Sequence, residues 1–221
     1  ADPPTHLSSF EDWLTAGCHG KMQYLENENN RQLRANPKSI LPECETILVL
    51  AMPYMNPNDV RQPVKGTSLR GRIAAYAWGN DYHEVITQKL SLIMDFIEKE
   101  VGYEVPNRYY TDSGPILERD LAQRAGLGWI GRNILLVNPR YGSRVRYVSI
   151  LTDMPLKVDG ETSDGCGECR ECIAVCPARA IKGEPGDFSL DACAKQLDYF
   201  RKKENLGQHI CGICLKACVG R

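Results

Sequence analysis

Eight of the chain's ten cysteines are crowded between positions 166 and 218, in two runs whose spacing suits iron–sulfur chemistry. The first run is Cys166-x2-Cys169-x2-Cys172-x3-Cys176-Pro177, and the second is Cys193 followed by Cys211-x2-Cys214-x3-Cys218. A [4Fe–4S] cube needs four thiolates at the corners of a tetrahedron. Three cysteines on a tight loop reach three irons, and in the bacterial ferredoxin pattern the fourth cysteine of one run ligates the other cluster. That pattern assigns Cys166, Cys169, Cys172 and Cys218 to one cluster and Cys176, Cys193, Cys211 and Cys214 to the other. Cys193 replaces the usual nearby first cysteine, so residues 194–210 form an insertion. Ile173, Ala174, Val175 and Ile181 would supply an apolar shell, and burial and N–H donors near sulfur tune the potential. Structural zinc is the other chemistry open to clustered thiols, but the x2-x2-x3-Pro run is far more specific for iron–sulfur clusters. Cys18 and Cys44 lie outside the pattern and are expected to be buried structural thiols. Two clusters with interlocked ligands make a two-step electron wire. It delivers to a partner protein, or to a redox centre or substrate held by residues 1–165.

The rest of the chain has to position that wire. Hydrophobic residues make up 43% and charged residues 25% of 221 residues, an ordinary globular mix. A chain this long buries a core without staples. Thiols clustered beside such a domain favour metal over disulfides and imply a reducing, cytoplasmic setting. The net charge of −1 gives no global field toward nucleic acid or membrane. Two local basic groups, Arg31, Arg34 and Lys38, then Arg132, Arg140, Arg144 and Arg146, are either phosphate contacts or solvated surface. No apolar run approaches the ~20 residues that cross a bilayer. No signal peptide is legible after the opening Ala1-Asp2-Pro3-Pro4.

Periodicity predicts a helix over 8–17, capped by Ser8 or Ser9, with Phe10, Trp13 and Leu14 on one face. Residues 20–42 are polar and broken by prolines. A buried strand is expected over 47–52, a long loop over 53–71, and a helix over 81–100 capped by Asp81. A strand over 103–111 leads to a helix over 115–125, with Pro115 in its first turn and Gly126 at its end. Strands over 134–137 and 145–151 are joined by a turn at 138–142. A polar connection over 154–165 precedes the cysteines. This alternation predicts an α+β fold, with one domain over 1–157 and a two-cluster module over 158–221.

Several segments carry a family resemblance. They are His19-Gly20-Lys21-Met22-Gln23-Tyr24, Ala75-Tyr76-Ala77-Trp78-Gly79-Asn80-Asp81-Tyr82-His83, and Thr111-Asp112-Ser113-Gly114-Pro115-Ile116-Leu117-Glu118-Arg119. Ala125-Gly126-Leu127-Gly128-Trp129-Ile130-Gly131-Arg132-Asn133 and Ile150-Leu151-Thr152-Asp153-Met154-Pro155-Leu156 continue them in order. Together with the cysteine module they resemble epoxyqueuosine reductases, relatives of the reductive dehalogenases. The resemblance implies a cobalamin-dependent oxidoreductase with two [4Fe–4S] clusters that reduces epoxyqueuosine to queuosine in tRNA. It implies a nitroreductase-like corrinoid-binding α/β domain followed by a bacterial-ferredoxin-like module. The partners it implies are tRNA bearing epoxyqueuosine and an electron donor such as a flavodoxin or ferredoxin, with no membrane.

Asp112 matches the family's proposed proton donor. From spacing alone it reads as a helix cap. The expected corrinoid contacts are Tyr76, Trp78, Val137, Tyr147 and Ser149. No Asp-x-His-x-x-Gly segment is present, and His83 reads as a polar residue in a helix's first turn. The chain departs from the family in reading Asp-Ser-Gly-Pro at 112–115, where Ala is usual at 114, and in Val219-Gly220-Arg221 after Cys218. Many members continue there into a helical repeat domain that helps hold tRNA. The other readings are an electron carrier serving a partner and a corrinoid reductase acting on a small molecule.

Overall fold

The computed structural model describes residues 2–54, 74–163, 165–183, 187–204 and 207–218. The expected loop over 53–71, from 55 onward, and the departure at 219–221 lie outside the described residues. The described chain is a mixed α/β fold divided into two units. The first unit comprises Ala1–Ala51, Gly79–Leu127 and Arg146–Thr162; the second comprises Met52–Trp78, Gly128–Val145 and Ser163–Arg221. The expected boundary at 157/158 stands near the last crossing between them. Residues 128–145 and the described part of 52–78, which precede that boundary, group with the cysteines.

The first unit is built on three strands, β1 (Thr46–Pro53), β2 (Asn107–Tyr110) and β5 (Val145–Thr152), in the order β1-β5-β2. Its apolar run puts β5 in the centre, and five of its last five residues are buried. β2 runs antiparallel to β5 with Tyr110 opposite Ser149, and this register carries the chain to Asp112. Leu41, Cys44 and Leu151 form a buried cluster against which Ile40, Ile47 and Tyr110 pack.

The long helix α3 (Tyr82–Val101) starts where Asp81 accepts the N–H of His83 and ends at Gly102 in the left-handed conformation. It buries Ile86 and Leu90. α1 (Leu7–Thr15) begins one residue before the expected span, and its cap position is His6, with no side-chain cap. Ser8 and Ser9 are therefore inside the helix. His6 instead is tied to the buried Asp120 of helix α4 (Glu118–Arg124), its N–H donating to Oδ1 at 2.9 Å. Within the polar stretch over 20–42 stands a helix the periodicity did not show, α2 (Glu28–Ala35). Capping by Asn27 and an Arg31–Glu11 ion pair hold it in place of a broad apolar face.

In the second unit β3 (Trp129–Ile130) pairs with β4 (Leu136–Val137), and Trp129 faces Val137. Thus the 134–137 strand pairs with residues before it. The turn that follows closes through an Asn138–Gly142 bridge. The cysteines ride on short pieces: α5 (Glu171–Ala174), α6 (Leu190–Lys202, capped by Ser189) and α7 (Ile213–Ala217). α5 packs on α7.

Candidate functional site

The second unit brings the eight clustered thiols together as two groups of four. Cys172, on α5, is raised above the ordinary thiol range by burial and then by the charges of Cys218, Cys166 and Cys169. Cys214, on α7, is pushed up to about 11 by burial, then by Cys211, with further contributions from Cys176 and Cys193. Cys193 is raised by burial and by the same neighbours, Cys211 and Cys176. The neighbours that shift Cys172 all belong to one set, and those that shift Cys193 and Cys214 all belong to the other.

A cavity of about 230 Å³ has Cys176, Cys193, Cys211 and Cys214 on its wall, with Ile181, Phe188 and Leu197 among its apolar lining. Among the described residues, no three His, Cys, Asp or Glu side chains converge on a single metal ion. Gathered thiols that raise one another's pKa suit a cationic group. The donor set suits two four-iron cubes.

Cluster loops are held by the protein around them. The Cys169 N–H donates to the Cys166 carbonyl at 2.8 Å. The Ala180 N–H reaches Cys176 Sγ at 3.4 Å, and the Trp129 indole N–H reaches Cys166 Sγ at 3.3 Å. Arg132 donates to the Gly167 carbonyl at 2.8 Å and also to the Gly183 carbonyl. One of the basic residues considered for phosphate thus fastens two loops of its own module. Arg31 pairs with Glu11, Arg34 is buried over the Phe10 ring, and Arg144 donates to the Tyr141 carbonyl. Lys38 and Arg140 remain exposed.

The expected corrinoid contacts divide between the units. Tyr76, Trp78 and Val137 belong to the second and Tyr147 and Ser149 to the first. Tyr76 lines the cavity of Cys176, and its hydroxyl accepts the Cys211 N–H at 3.4 Å. Val137 is buried opposite Trp129 in the β3–β4 pair. Tyr147 offers its carbonyl to the Thr111 hydroxyl at 2.8 Å. Ser149 is fully buried, and its Oγ has no hydrogen-bond partner among the described residues. Cys44 is buried as expected, its Sγ donating to the Thr46 carbonyl at 3.5 Å. Cys18 is exposed, because it stands in the turn that follows the end of α1 at Thr15 rather than on the helix's packed face.

The first unit assembles a second constellation, around Asp112. Its backbone is left-handed, with φ of 64°, a conformation that aspartate tolerates better than most residues. Its N–H donates to Glu118 Oε1 at 2.7 Å, and Oδ2 accepts the Tyr82 hydroxyl. Asp112 therefore does not cap α4, which starts only at Glu118. The departure at Gly114 has a steric reason: a Cβ there would stand 2.4 Å from Tyr110 Cβ and Cγ. Arg146 lies 4.1 Å above the Tyr82 ring. Burial raises Glu118 to about 7, with the Asp112 charge adding to it and the Asp112 N–H, Arg119 and Arg146 opposing. Tyr82 is raised above the usual phenol range by burial and by its bond to Asp112. His83 bonds Asp81 through Nδ1 at 2.8 Å in the helix's first turn. Sequence reading passed over Tyr82 and Glu118, and took Arg146 only as a phosphate contact or surface charge. The available signal was that Tyr82 and Glu118 fall within the same two segments as His83 and Asp112.

Residues 34–113 match the family model described as "Epoxyqueuosine reductase QueG, DUF1730". An epoxyqueuosine reductase of Leadbetterella byssophila is 37% identical over 172 residues, covering 78% of this chain and 54% of that protein. A solved epoxyqueuosine reductase with an epoxyqueuosine-modified tRNA-Tyr stem loop is similar over 99% of this chain and 59% of its own, at 27% identity and a TM-score of 0.80. The Bacillus subtilis enzyme, solved with its catalytic aspartate loop swung out of the active site, is similar over 99% and 59%, at 28% identity and a TM-score of 0.76. The chain spans about half the length of the curated relatives it matches. A match that runs through the cysteine module and the Asp112 segment alike is what common descent requires, and the chain belongs to the epoxyqueuosine reductase family.

Proposed function

We propose that this chain reduces epoxyqueuosine to queuosine in tRNA, drawing electrons through two [4Fe–4S] clusters and using cobalamin. The observation that carries the reading is the grouping of eight thiols into two sets of four in one compact unit. In this reading Cys166, Cys169, Cys172 and Cys218 hold one cluster, and Cys176, Cys193, Cys211 and Cys214 hold the other. The second unit then serves as a ferredoxin-like module, and the first resembles the nitroreductase-like domain of the family. Cobalamin comes to the reading from the family, with Tyr76, Trp78, Val137, Tyr147 and Ser149 as its contacts. The solved relative bound to a tRNA stem loop supports tRNA as the partner. A flavodoxin or ferredoxin would supply electrons.

Removing the epoxide oxygen as water takes two electrons and two protons. Asp112 gives a proton to the oxygen as the ring opens, while the Tyr82 hydroxyl fixes its Oδ2. Glu118, raised to about 7 mainly by burial, is a second proton store at neutral pH. The swung-out loop of the Bacillus subtilis relative suggests that the Asp112 loop moves as substrate comes and goes.

Protein purified without oxygen should hold roughly eight irons for two four-iron cubes. With cobalamin and a reduced donor it should convert a tRNA stem loop carrying epoxyqueuosine to the queuosine form. Iron-loaded protein that neither binds cobalamin saturably nor consumes that stem loop overturns the reading.

A further inference from the structure

Trp129 is 5% exposed, and its indole N–H points at Cys166 Sγ from 3.3 Å. A buried indole needs an acceptor, and a core tryptophan meeting a nearby sulfur would be the bland explanation. The surroundings say more. Trp129 is pinned opposite Val137 in the β3–β4 pair. A Cβ on Gly165 would stand 2.7 Å from the Trp129 ring. A Cβ on Gly131 would stand 2.6 Å from Val137 Cγ2 and 3.5 Å from Cys166 Sγ. Two glycines thus leave room for the ring and the sulfur, and a strand pair holds the ring in place.

We infer that Trp129 raises the reduction potential of the cluster held by Cys166, Cys169, Cys172 and Cys218 through its N–H···S bond. The inference rests on the cluster reading above. Reduction adds negative charge to the cube and its sulfurs. An N–H dipole aimed at a ligand sulfur stabilises that added charge, and burial strengthens the effect by excluding water. The other set has a donor of a different kind, the backbone N–H of Ala180 to Cys176. A side-chain substitution at 129 therefore separates the two clusters.

The test is an anaerobic redox titration of the iron-loaded protein, followed by electron paramagnetic resonance. Trp129→Phe is expected to shift the oxidised-to-reduced ratio of one cluster by about tenfold toward oxidised, roughly 59 mV for a one-electron couple. The other cluster should stay where it was. Trp129→benzothienylalanine keeps the ring shape without the N–H, and carries the same measurement if the phenylalanine variant fails to assemble. An unchanged potential in a variant holding both clusters overturns the inference and leaves the proposed function standing. Wild-type protein without four-iron clusters overturns both.

Discussion

The backbone N–H of Asp112 donates to Oε1 of Glu118 at 2.7 Å, across a loop of six residues that begins in left-handed backbone. The bond joins a group expected to deliver a proton to one that titrates near neutrality. The Thr111 hydroxyl, bonded to the Tyr147 carbonyl at 2.8 Å, moors the start of the loop to β5. Several consequences of this arrangement can be measured.

Asp112→Asn keeps the size of the side chain and removes its acid. Turnover of an epoxyqueuosine stem loop, read by nucleoside mass spectrometry, should fall by about a hundred- to ten-thousand-fold, the usual worth of a general acid. Iron content and cobalamin binding should match wild type. Full activity would remove Asp112 from the proton-donor role.

Glu118 carries a pH dependence of known sign. Its acid is raised from 4.5 to about 7 in the fold, chiefly by burial. The folded state therefore holds the proton more tightly than the unfolded one. The stability this gives is fully present below about pH 4.5 and is lost as pH rises through about 7. The size is on the order of 3 kcal/mol. Glu118→Gln keeps an acceptor for the Asp112 N–H but does not titrate. Its urea midpoint, relative to wild type, should rise between pH 5 and pH 8. A constant difference across that range would show that Glu118 is not raised.

Gly114→Ala tests the steric account of the family departure. The new Cβ meets Tyr110 near its backbone rather than at its ring tip, so the loop or β2 has to shift. Overpacking of this kind costs about 1–3 kcal/mol. Each kcal/mol lowers Tm by roughly 2–4 °C in a chain of this size. The variant should also lose turnover, since the displaced loop is the one that carries Asp112. An unchanged Tm would show that Tyr110 yields freely.

The ligand partition predicts which substitutions are equivalent. Cys176→Ser and Cys193→Ser should each reduce iron by about half and remove the same paramagnetic signal, because these thiols share one set. Cys172→Ser and Cys218→Ser should remove the other signal. Loss of different clusters in Cys176→Ser and Cys193→Ser would break the partition.

Local chemistry was legible where it is written in short spacings. The run over 166–177 reads as iron–sulfur ligation because x2 and x3 gaps limit how thiols on a tight loop can reach a metal, and the fold groups its thiols with those at 193–218. The strand at 46–53 and the helix from Tyr82 to Val101 were readable from a continuous apolar run and from an Asp81 cap with helical periodicity. α2 was not, because an Asn27 cap and an ion pair to Glu11 hold it in place of an apolar face.

What depends on chain segments far apart in sequence was decided only by the fold. The pairing of 129–130 with 136–137 placed Trp129 beside Cys166, although neither residue's type announces the other. The antiparallel register of β2 on β5 set Tyr110 where Gly114 must pass, and turned Asp112 from an apparent helix cap into a residue held by Tyr82 and Glu118. Residue types and spacings determine what chemistry is available, because thiolate, carboxyl and indole bring fixed donors and acceptors. Only tertiary packing decides which of them meet and how dry the meeting place is. Burial moves Glu118 to about 7, and no spacing along the chain encodes that.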